Sequence, residues 1–242
     1  MNGDVGTSMD MTRGAPEVSH EWLDALHLAS PSLPIGGFAY SQALEQAQAS
    51  GWVTDRPSAA TWIRDALMLV MARQELPVWL MGFRYARRHE WVALMALTED
   101  LAALRETAEL RLESRQMAYS MNRLYEQWLP AHQRPPETVT AVLATQYTMS
   151  HAALCGLRLS TESIGLTAFV WSWLENQVLA AIKIVPLGQL DGQALLHELK
   201  PYVAQALSVA QNTPLDQAAS APIGMAMISS RHETQYTRLF RS

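Results

Sequence analysis

Apolar residues recur at helical spacing along most of the chain, and no stretch shows the strict alternation that is typical of a strand. The clearest stripe has successive spacings of seven, four, three and four residues: Leu110, Met117, Met121, Leu124 and Trp128. Pro130 follows this stripe and ends it. The two methionines inside it indicate core packing rather than a metal site. The pattern predicts a long amphipathic helix.

Two further helices are predicted in the second half of the chain. The segment from Thr161 to about Val185 is apolar on two sides, which is typical of a helix in the middle of a bundle or in an interface. The next segment repeats apolar residues every three or four positions: Leu195, Leu199, Val203, Leu207 and Ala210. A break is predicted near Gly156. The fold class is therefore all-α, a single-domain helical bundle.

Composition divides the chain into three parts. Residues 1–17 lack periodicity and are rich in Gly, Ser, Thr and Asp, so we expect a flexible, disordered N-terminus. Residues 18–210 form the helical domain, beginning with a helix from Glu17 to Ala29 that turns Trp22, Leu23 and Leu26 inward. Residues 211–242 consist of a proline-containing tether, up to residue 230, and a C-terminal tail that binds a partner.

The balance of apolar and charged residues favours a large core or a buried interface. Apolar residues make up 49 % of the chain and charged residues 17 %, and the formal net charge of −5 argues against nucleic acid as a partner. The single cysteine, Cys155, excludes an internal disulfide and fits a reducing compartment. With no signal peptide or membrane-spanning stretch in the sequence, we expect a cytoplasmic protein that does not contact membranes.

The sequence contains none of the common catalytic or cofactor motifs. It has no Gly-x-x-x-x-Gly-Lys-Ser/Thr phosphate loop, no His-Glu-x-x-His or Cys-x-x-Cys set, and no Gly-x-Ser-x-Gly elbow. The seven histidines are scattered, so no metal site is expected. These features predict a helical binding protein without a cofactor. An enzyme whose site is assembled from distant helices stays open as the alternative.

Four blocks in order resemble the urease accessory protein family UreF. The first is Leu28-Ala-Ser-Pro-Ser-Leu-Pro-Ile-Gly-Gly-Phe-Ala-Tyr-Ser-Gln-Ala-Leu-Glu45, with two prolines and a glycine pair between helical patterns. The others are Arg105–Arg111, Pro186–Gln193 and Arg231–Ser242. Small departures occur at Ala43 and Ala118, where the family often has glycine, and at Thr237, where serine is usual.

The resemblance implies a non-catalytic role in urease maturation. Members of the family form homodimers and join UreD (also called UreH) and the GTPase UreG in a complex that binds the urease apoprotein. In that complex they modulate GTP hydrolysis and help to insert nickel. An independent nickel carrier is the alternative that the resemblance raises.

The residues carried over as partner-binding candidates come from three blocks. They are Ser41, Gln42, Glu45, Gly188, Gln189, Gln193, Arg231, His232, Glu233, Gln235, Tyr236, Arg238, Leu239 and Phe240. Two further expectations concern these blocks. Gly188 should adopt a backbone angle that alanine tolerates poorly. The tail should fold only on binding UreD, since ordering it costs more than three large side chains return.

Overall fold

The computed structural model describes residues 20–242, and every regular element within that range is helical. The predicted all-α class is confirmed. The disorder expected of residues 1–17 lies outside the described residues. The α-helices are α1 His20–Ala29, α2 Leu44–Ala49, α3 Arg56–Asp65, α4 Leu76–Arg87, α5 Trp91–Ala103, α6 Ala108–Trp128, α7 Glu137–Leu143, α8 Tyr147–Arg158, α9 Glu162–Ile184, α10 Gln189–Asn212 and α11 Ile223–His232.

Helix α9 lies at the centre of the bundle. It packs against α1, α2, α3, α4, α8 and α10, so most of its circumference is covered by other helices. Leu166, Phe169 and Val178 are buried on it, as the two-sided apolar pattern predicted. Helix α6 packs on α8 and buries Met117 and Met121 as core residues. The two long stripes of the sequence thus form the frame of the domain.

The chain break predicted near Gly156 falls at residues 159–161, between α8 and α9, and Gly156 itself lies inside α8. This helix packs most closely against α4, and a Cβ on Gly156 would lie 2.4 Å from the backbone oxygen of Phe83. Gly82 on α4 is less confined, since its Cβ would meet the flexible end of the Met149 side chain at 2.7 Å. Gly156 therefore allows the two helix backbones to approach closely, and neither glycine ends its helix.

Helix α1 is rotated relative to the sequence-based prediction. Trp22, Leu23 and Leu26, which were expected to face inward, are 53 %, 51 % and 65 % exposed. Two polar contacts set this orientation: Asp24 accepts a hydrogen bond from Arg158 at 2.7 Å, and Glu21 accepts one from the Ser160 hydroxyl at 2.7 Å. The small buried face of α1 is made instead by a different set: Ala25, Leu28 and Ala29.

The chain is helical without a gap from Arg56 to Arg87. Asp55 and Ser58 cap the start of α3, and Pro57 lies in its first turn, where proline is tolerated. Ala66–Glu75 adopts π-helical geometry, and regular α geometry resumes at Leu76, next to Pro77. Pro77 cannot donate a backbone hydrogen bond, and its position in the first turn of the resumed α-helix is one that tolerates proline. The π-helical segment buries the polar side chains of Gln74 and Glu75.

Residues 211–230 are more ordered than the expected tether. Helix α10 continues to Asn212, a short 3-10 turn covers Leu215–Gln217, and α11 begins at Ile223. The side chains of Ile228 and Ser229 are buried, because α11 packs against α2. The prolines at 214 and 222 precede these helical segments, where their missing amide costs nothing. In the part of the chain described here, no helix is both long and apolar enough to span a membrane.

Candidate functional site

The opening block folds into a strained turn that directs its polar side chains to one place. Gly36 has a φ of 77°, and a 3-10 turn covers Gly37–Ala39. Gln42 and Ala43 follow with φ values of 51° and 71°, a left-handed conformation that is costly for residues with a Cβ. Helix α2 therefore starts only at Leu44, after this turn. The turn leaves Ser41 and Glu45 buried on the same side.

Glu45 binds the backbone of the C-terminal tail. Its carboxylate oxygens accept hydrogen bonds from the amides of Leu239 at 2.7 Å and Phe240 at 2.8 Å. Ser41 extends this contact, because its amide and hydroxyl both donate to the backbone oxygen of Ser242, at 2.9 and 2.7 Å. Hydrogen bonds to an ionised acceptor are roughly twice as strong as neutral ones. The opening block therefore serves as a receptor for the tail.

Gln42 connects this receptor to the core helices. Its amide nitrogen donates to Glu113 at 2.7 Å, and its amide oxygen accepts from the Trp173 indole at 2.7 Å. The hydroxyl of Ser242 donates to the other oxygen of Glu113 at 2.5 Å. Burial raises the pKa of Glu113, while the hydrogen bonds from Ser242 and Gln42 act in the opposite direction. The strained turn is thus fixed by a fully bonded amide side chain.

His232, at the end of α11, lies between two carboxylates. Its Nδ1 is 2.6 Å from Oε2 of Glu109 and its Nε2 is 3.4 Å from Oε2 of Glu45, and the ring is completely buried. Arg238 donates to the other oxygen of Glu109. We call Glu45, Glu109, His232 and Arg238 the charged quartet. It joins α2, α6, α11 and the tail.

The tail has one face on the protein and one face in solvent. Phe240 is buried, and the Lys183 ammonium lies 5.4 Å from the centre of its ring. Tyr236 is fully exposed and Leu239 is 63 % exposed, and Arg231 and Arg238 are also at the surface. The Gln235 amide donates to the Thr237 carbonyl at 2.8 Å, and Glu233 accepts from the Ala108 amide at 2.7 Å. Docking therefore uses the backbone and leaves two large side chains uncovered.

In the structure the tail is docked on its own chain, and its folding on UreD stays a prediction. Three apolar side chains return less than the ordering of the backbone costs, so docking also needs a buried receptor for the backbone amides. Glu45 and Ser41 provide that receptor, and the charged quartet adds ion pairs. The tail is therefore held against its own chain.

Two residues that complete the site were not among the sequence-based candidates: Glu109 and Glu113. Leu110 and Met117 are seven positions apart, and Glu113 and Ser114 between them are buried. They therefore continue the buried stripe of α6. A carboxylate at a core position is buried only when it is hydrogen-bonded, which is a signal for a polar partner. The sequence carried this signal, but the stripe was interpreted from its apolar members alone.

The Pro186–Gln193 block follows the C-terminal end of α9 and begins three residues after Lys183, which contacts Phe240 of the tail. Gly188, Gln189 and Gln193 are exposed, and Leu190 is 86 % exposed. The Gly188 amide donates to the Asp191 carboxylate at 3.1 Å, so Asp191 caps α10. The expected special angle at Gly188 is wrong: its φ is −77°, and an added Cβ would meet only Asp191, at an ordinary 3.5 Å.

A groove of about 530 Å³ lies between the opening loop and α6, beside the docked tail. Phe38 and Tyr119 line it and are more than half exposed, and Arg115 and Arg241 also line it. The Arg241 amide donates to the Ala39 carbonyl at 2.9 Å, so the groove exists in this form only when the tail is docked. Tail and groove form one continuous surface of aromatic and basic side chains.

A second, interior cavity of about 180 Å³ is lined by residues of the π-helical segment, α6, α8 and α9. Glu75 pairs with Arg105 at 2.9 Å and accepts from the Thr148 hydroxyl at 2.6 Å. One oxygen of Glu75 is buried without a partner among the described residues. The cavity therefore presents a carboxylate to small polar molecules, as buried polar groups of this kind usually bind water.

The fold and the site define an all-α binding protein, because the polar groups of the site hold a peptide segment and leave its aromatic and basic side chains exposed. A family model for UreF matches residues 53–200. A urease accessory protein UreF of Cupriavidus necator is 42 % identical over 227 residues, covering 92 % of this chain and 98 % of the relative. The chain belongs to the UreF family of urease accessory proteins.

Two further relatives come from Bordetella bronchiseptica, and the family sequence makes up all of one and about half of the other. One, a urease accessory protein UreF, is 44 % identical over 223 residues, covering 90 % of this chain and all of the relative. The other has the same identity over 223 residues but is matched over only 51 % of its length, and it is named bifunctional urease accessory protein UreEF. These relatives are named as accessory proteins and not as enzymes. The cytoplasmic location stays a prediction.

Proposed function

We propose that this chain is a non-catalytic scaffold in urease maturation. In this role it joins UreD (UreH) and the GTPase UreG, and the complex binds the urease apoprotein and inserts nickel as its cargo. Membership of the UreF family supports this role. The observation that carries it is the docked tail, whose backbone is bound by Glu45 while Tyr236 and Leu239 remain exposed.

The chemistry of the site supports binding rather than catalysis. The Ser41 hydroxyl is used in a hydrogen bond to the backbone of Ser242, so no general base activates it. Cys155 is completely buried, and burial raises the pKa of its thiol, which keeps it protonated and unreactive. GTP hydrolysis in the complex is assigned to UreG, because this sequence has no phosphate loop.

The exposed side of the tail is the first proposed docking surface. Tyrosine and arginine are the residue types most often found as anchors of protein interfaces, and Leu239 adds apolar area between them. Three of the exposed side chains make no docking contact of their own in the structure: Arg231, Tyr236 and Leu239. Arg238 is also at the surface, but it pairs with Glu109 and so contributes to the docking of the tail as well. His232, Glu233, Gln235 and Phe240 act indirectly, since they hold the tail in place.

The Pro186–Gln193 turn is the second proposed docking surface. The large apolar side chain of Leu190 is exposed to solvent, and the exposed side chains of Gln189 and Gln193 belong to the same turn. Gln189→Ala should leave the melting temperature unchanged and reduce urease activation, because its side chain makes no hydrogen bond to a described residue. Normal activation by this variant would remove the turn from the docking surfaces.

The exposed face of α1 supports the proposed homodimer. Trp22, Leu23 and Leu26 form a contiguous apolar surface on one helix, and such surfaces on soluble domains mark interaction sites. The chain also has a low share of charged residues, which suits a protein with an obligate interface. Size determination of the purified chain tests this part, with Trp22→Glu expected to yield monomers.

The decisive experiment is co-expression of this chain with UreD and UreG, followed by size-exclusion chromatography. The double variant Tyr236→Ala, Leu239→Ala should keep its helix content and lose the complex. Val92→Ala removes a comparably exposed apolar side chain from α5 and should form the complex normally. Co-elution of the double variant with both partners would contradict the role of the tail. Turnover of GTP by the isolated chain would contradict the non-catalytic role.

A further inference from the structure

We infer that Glu113 of α6 is the positioning residue of the tail-binding site: it holds the opening turn through Gln42 and the end of the tail through Ser242. Glu113 lies outside the blocks that resemble the family. Its role deepens the scaffold function proposed above and rests on that function only for the loss of the complex. The effect on the tail itself belongs to the isolated chain.

Glu113 connects two segments that lie at opposite ends of the described chain. Its Oε1 accepts a hydrogen bond from the Gln42 amide at 2.7 Å, and its Oε2 accepts one from the Ser242 hydroxyl at 2.5 Å. The residue is 5 % exposed, and no lysine, arginine or histidine among the described residues forms an ion pair with it. Because a buried carboxylate is tolerated only while donors face it, each of the two contacts is costly to lose.

The side chain of Gln42 fits between its neighbours in one orientation only. The Trp173 indole can only donate a hydrogen bond, so it must face the amide oxygen of Gln42, which it approaches to 2.7 Å. The amide nitrogen is then directed to the carboxylate of Glu113, which accepts. A residue of the same size with two acceptor oxygens would satisfy Trp173 and repel Glu113. Glu113 therefore specifies an amide at position 42.

Gln42 lies between the two residues that bind the backbone of the tail. Ser41 precedes it and Glu45 follows it by three residues, and both accept or donate hydrogen bonds to residues 239–242. The backbone of Gln42 is left-handed, with a φ of 51°, and such a turn persists only where surrounding contacts hold it. Glu113 therefore acts on the tail twice, directly through Ser242 and indirectly through the turn that Gln42 fixes.

An exchange of the two side chains tests this role. Gln42→Glu alone places a second carboxylate against Glu113 and should undock the tail. The double variant Gln42→Glu, Glu113→Gln keeps a donor opposite every acceptor: the new amide nitrogen faces the new carboxylate, and the new amide oxygen faces the Ser242 hydroxyl. The double variant should therefore recover the docked tail. A residue that merely fills space in α6 gives no such recovery.

Hydrogen–deuterium exchange of the full-length chain measures the docking. Three amides of the tail report on it, because Leu239 and Phe240 donate to Glu45 and Arg241 donates to the Ala39 carbonyl. Gln42→Glu should lower the protection factors of these amides by about tenfold or more, and the double variant should restore most of this loss. A peptide from the buried part of α9 should keep its protection in both variants, which separates release of the tail from global unfolding.

Asn122→Ala is the matched control on the same helix. Asn122 is also buried on α6, donates to the Thr140 carbonyl at 2.8 Å and accepts from the Ser150 hydroxyl, but it does not contact the opening turn or the tail. Its loss should lower the stability of the whole domain without a selective loss of tail protection. Equal selective loss in Asn122→Ala would assign the effect to α6 in general and overturn the role of Glu113.

Two further outcomes separate this role from the proposed function. Full tail protection in Gln42→Glu, or a double variant that is no better protected than Gln42→Glu, would refute the positioning role of Glu113. Co-expression of the same variants with UreD and UreG should show the complex lost in Gln42→Glu and regained in the double variant. If the tail follows the exchange and the complex does not, the positioning role stands and the proposed use of the tail as a docking surface fails.

Discussion

Glu45 and Phe240 are separated by 195 positions in the sequence and are joined by a hydrogen bond of 2.8 Å from the Phe240 amide to the Glu45 carboxylate. The neighbouring amide of Leu239 binds the other oxygen of the same carboxylate. One side chain near the start of the domain therefore holds two consecutive amides near its end. Both the receptor and the ligand of this contact belong to blocks that the sequence had marked as functional.

The first prediction concerns the charge of that receptor. Glu45→Gln keeps the shape of the side chain but replaces one acceptor oxygen with a donor group that faces a backbone amide. Hydrogen bonds to charged groups contribute about 1.5–3 kcal/mol, so the free energy of unfolding should fall by an amount in this range. Urea denaturation measures it. Glu99→Gln, on the exposed face of α5, is the matched control and should change stability little. Equal stability of both variants would show that the tail contributes nothing to the fold.

A second prediction compares two glycines. Gly156→Ala places a Cβ 2.4 Å from the Phe83 carbonyl, which forces α4 and α8 apart and should cost about 1–3 kcal/mol or more. Gly188→Ala has an ordinary φ of −77° and room for the methyl group, so it should leave stability within about 0.5 kcal/mol. Thermal denaturation of both variants measures these two changes in stability. The reverse order of stabilities would mean that the two helices are not in close contact.

A third prediction concerns the left-handed turn before α2. Ala43→Gly removes a buried methyl group worth about 0.8 kcal/mol and relieves a backbone strain of about 1–2 kcal/mol, so it should be neutral or slightly stabilising. Ala47→Gly, a buried alanine within α2, should be destabilising by about 1–2 kcal/mol. Chemical denaturation of the pair measures the difference, and a large loss in Ala43→Gly would exclude strain at this position.

The fourth prediction concerns acid stability. His151 is completely buried, its Nδ1 accepts a hydrogen bond from the Trp79 indole at 3.1 Å, and burial lowers its pKa to about 3. An unfolded histidine has a pKa near 6.5, so between about pH 3 and about pH 6.5 the unfolded chain binds a proton that the folded chain does not. This residue therefore makes the folded state less stable as the pH falls through that window.

The comparison variant is His151→Gln, whose amide oxygen can accept from Trp79 and which does not titrate. Below about pH 6 the unfolding free energy of the unaltered protein should fall by about 1 kcal/mol more per pH unit than that of the variant. The slopes are compared rather than the absolute values, because the substitution also changes packing. Parallel slopes would show that His151 takes up a proton in the folded state as well.

The helical fold could be predicted from the sequence because its signals are local. The stripes of α6 and α10 come from side chains three or four residues apart, and these stripes are buried in the structure. The proline in the first turn of α3 and the left-handed Gly51 after α2 are equally local. Each depends only on backbone preferences and spacing within a few residues.

The parts that the sequence did not predict depend on contacts between distant residues. The rotation of α1 is set by Asp24 and Arg158, which are separated by 134 positions. The break near Gly156 could be predicted, but the close approach of this glycine to the backbone of Phe83 on another helix could not. The docking of the tail depends on the direction of the Glu45 side chain, which the sequence does not show. No periodicity in a single chain encodes such pairings.

The long separation between Glu45 and its ligands also has a consequence for biosynthesis. A chain emerges from the ribosome from its N-terminus, and domains begin to fold before synthesis ends. Helix α2 is therefore made early, and its carboxylate stays bound to water until residues 239 and 240 have emerged. The receptor and its ligands can meet only after the helices between them have been synthesised, so this contact is among the last that the growing chain can form.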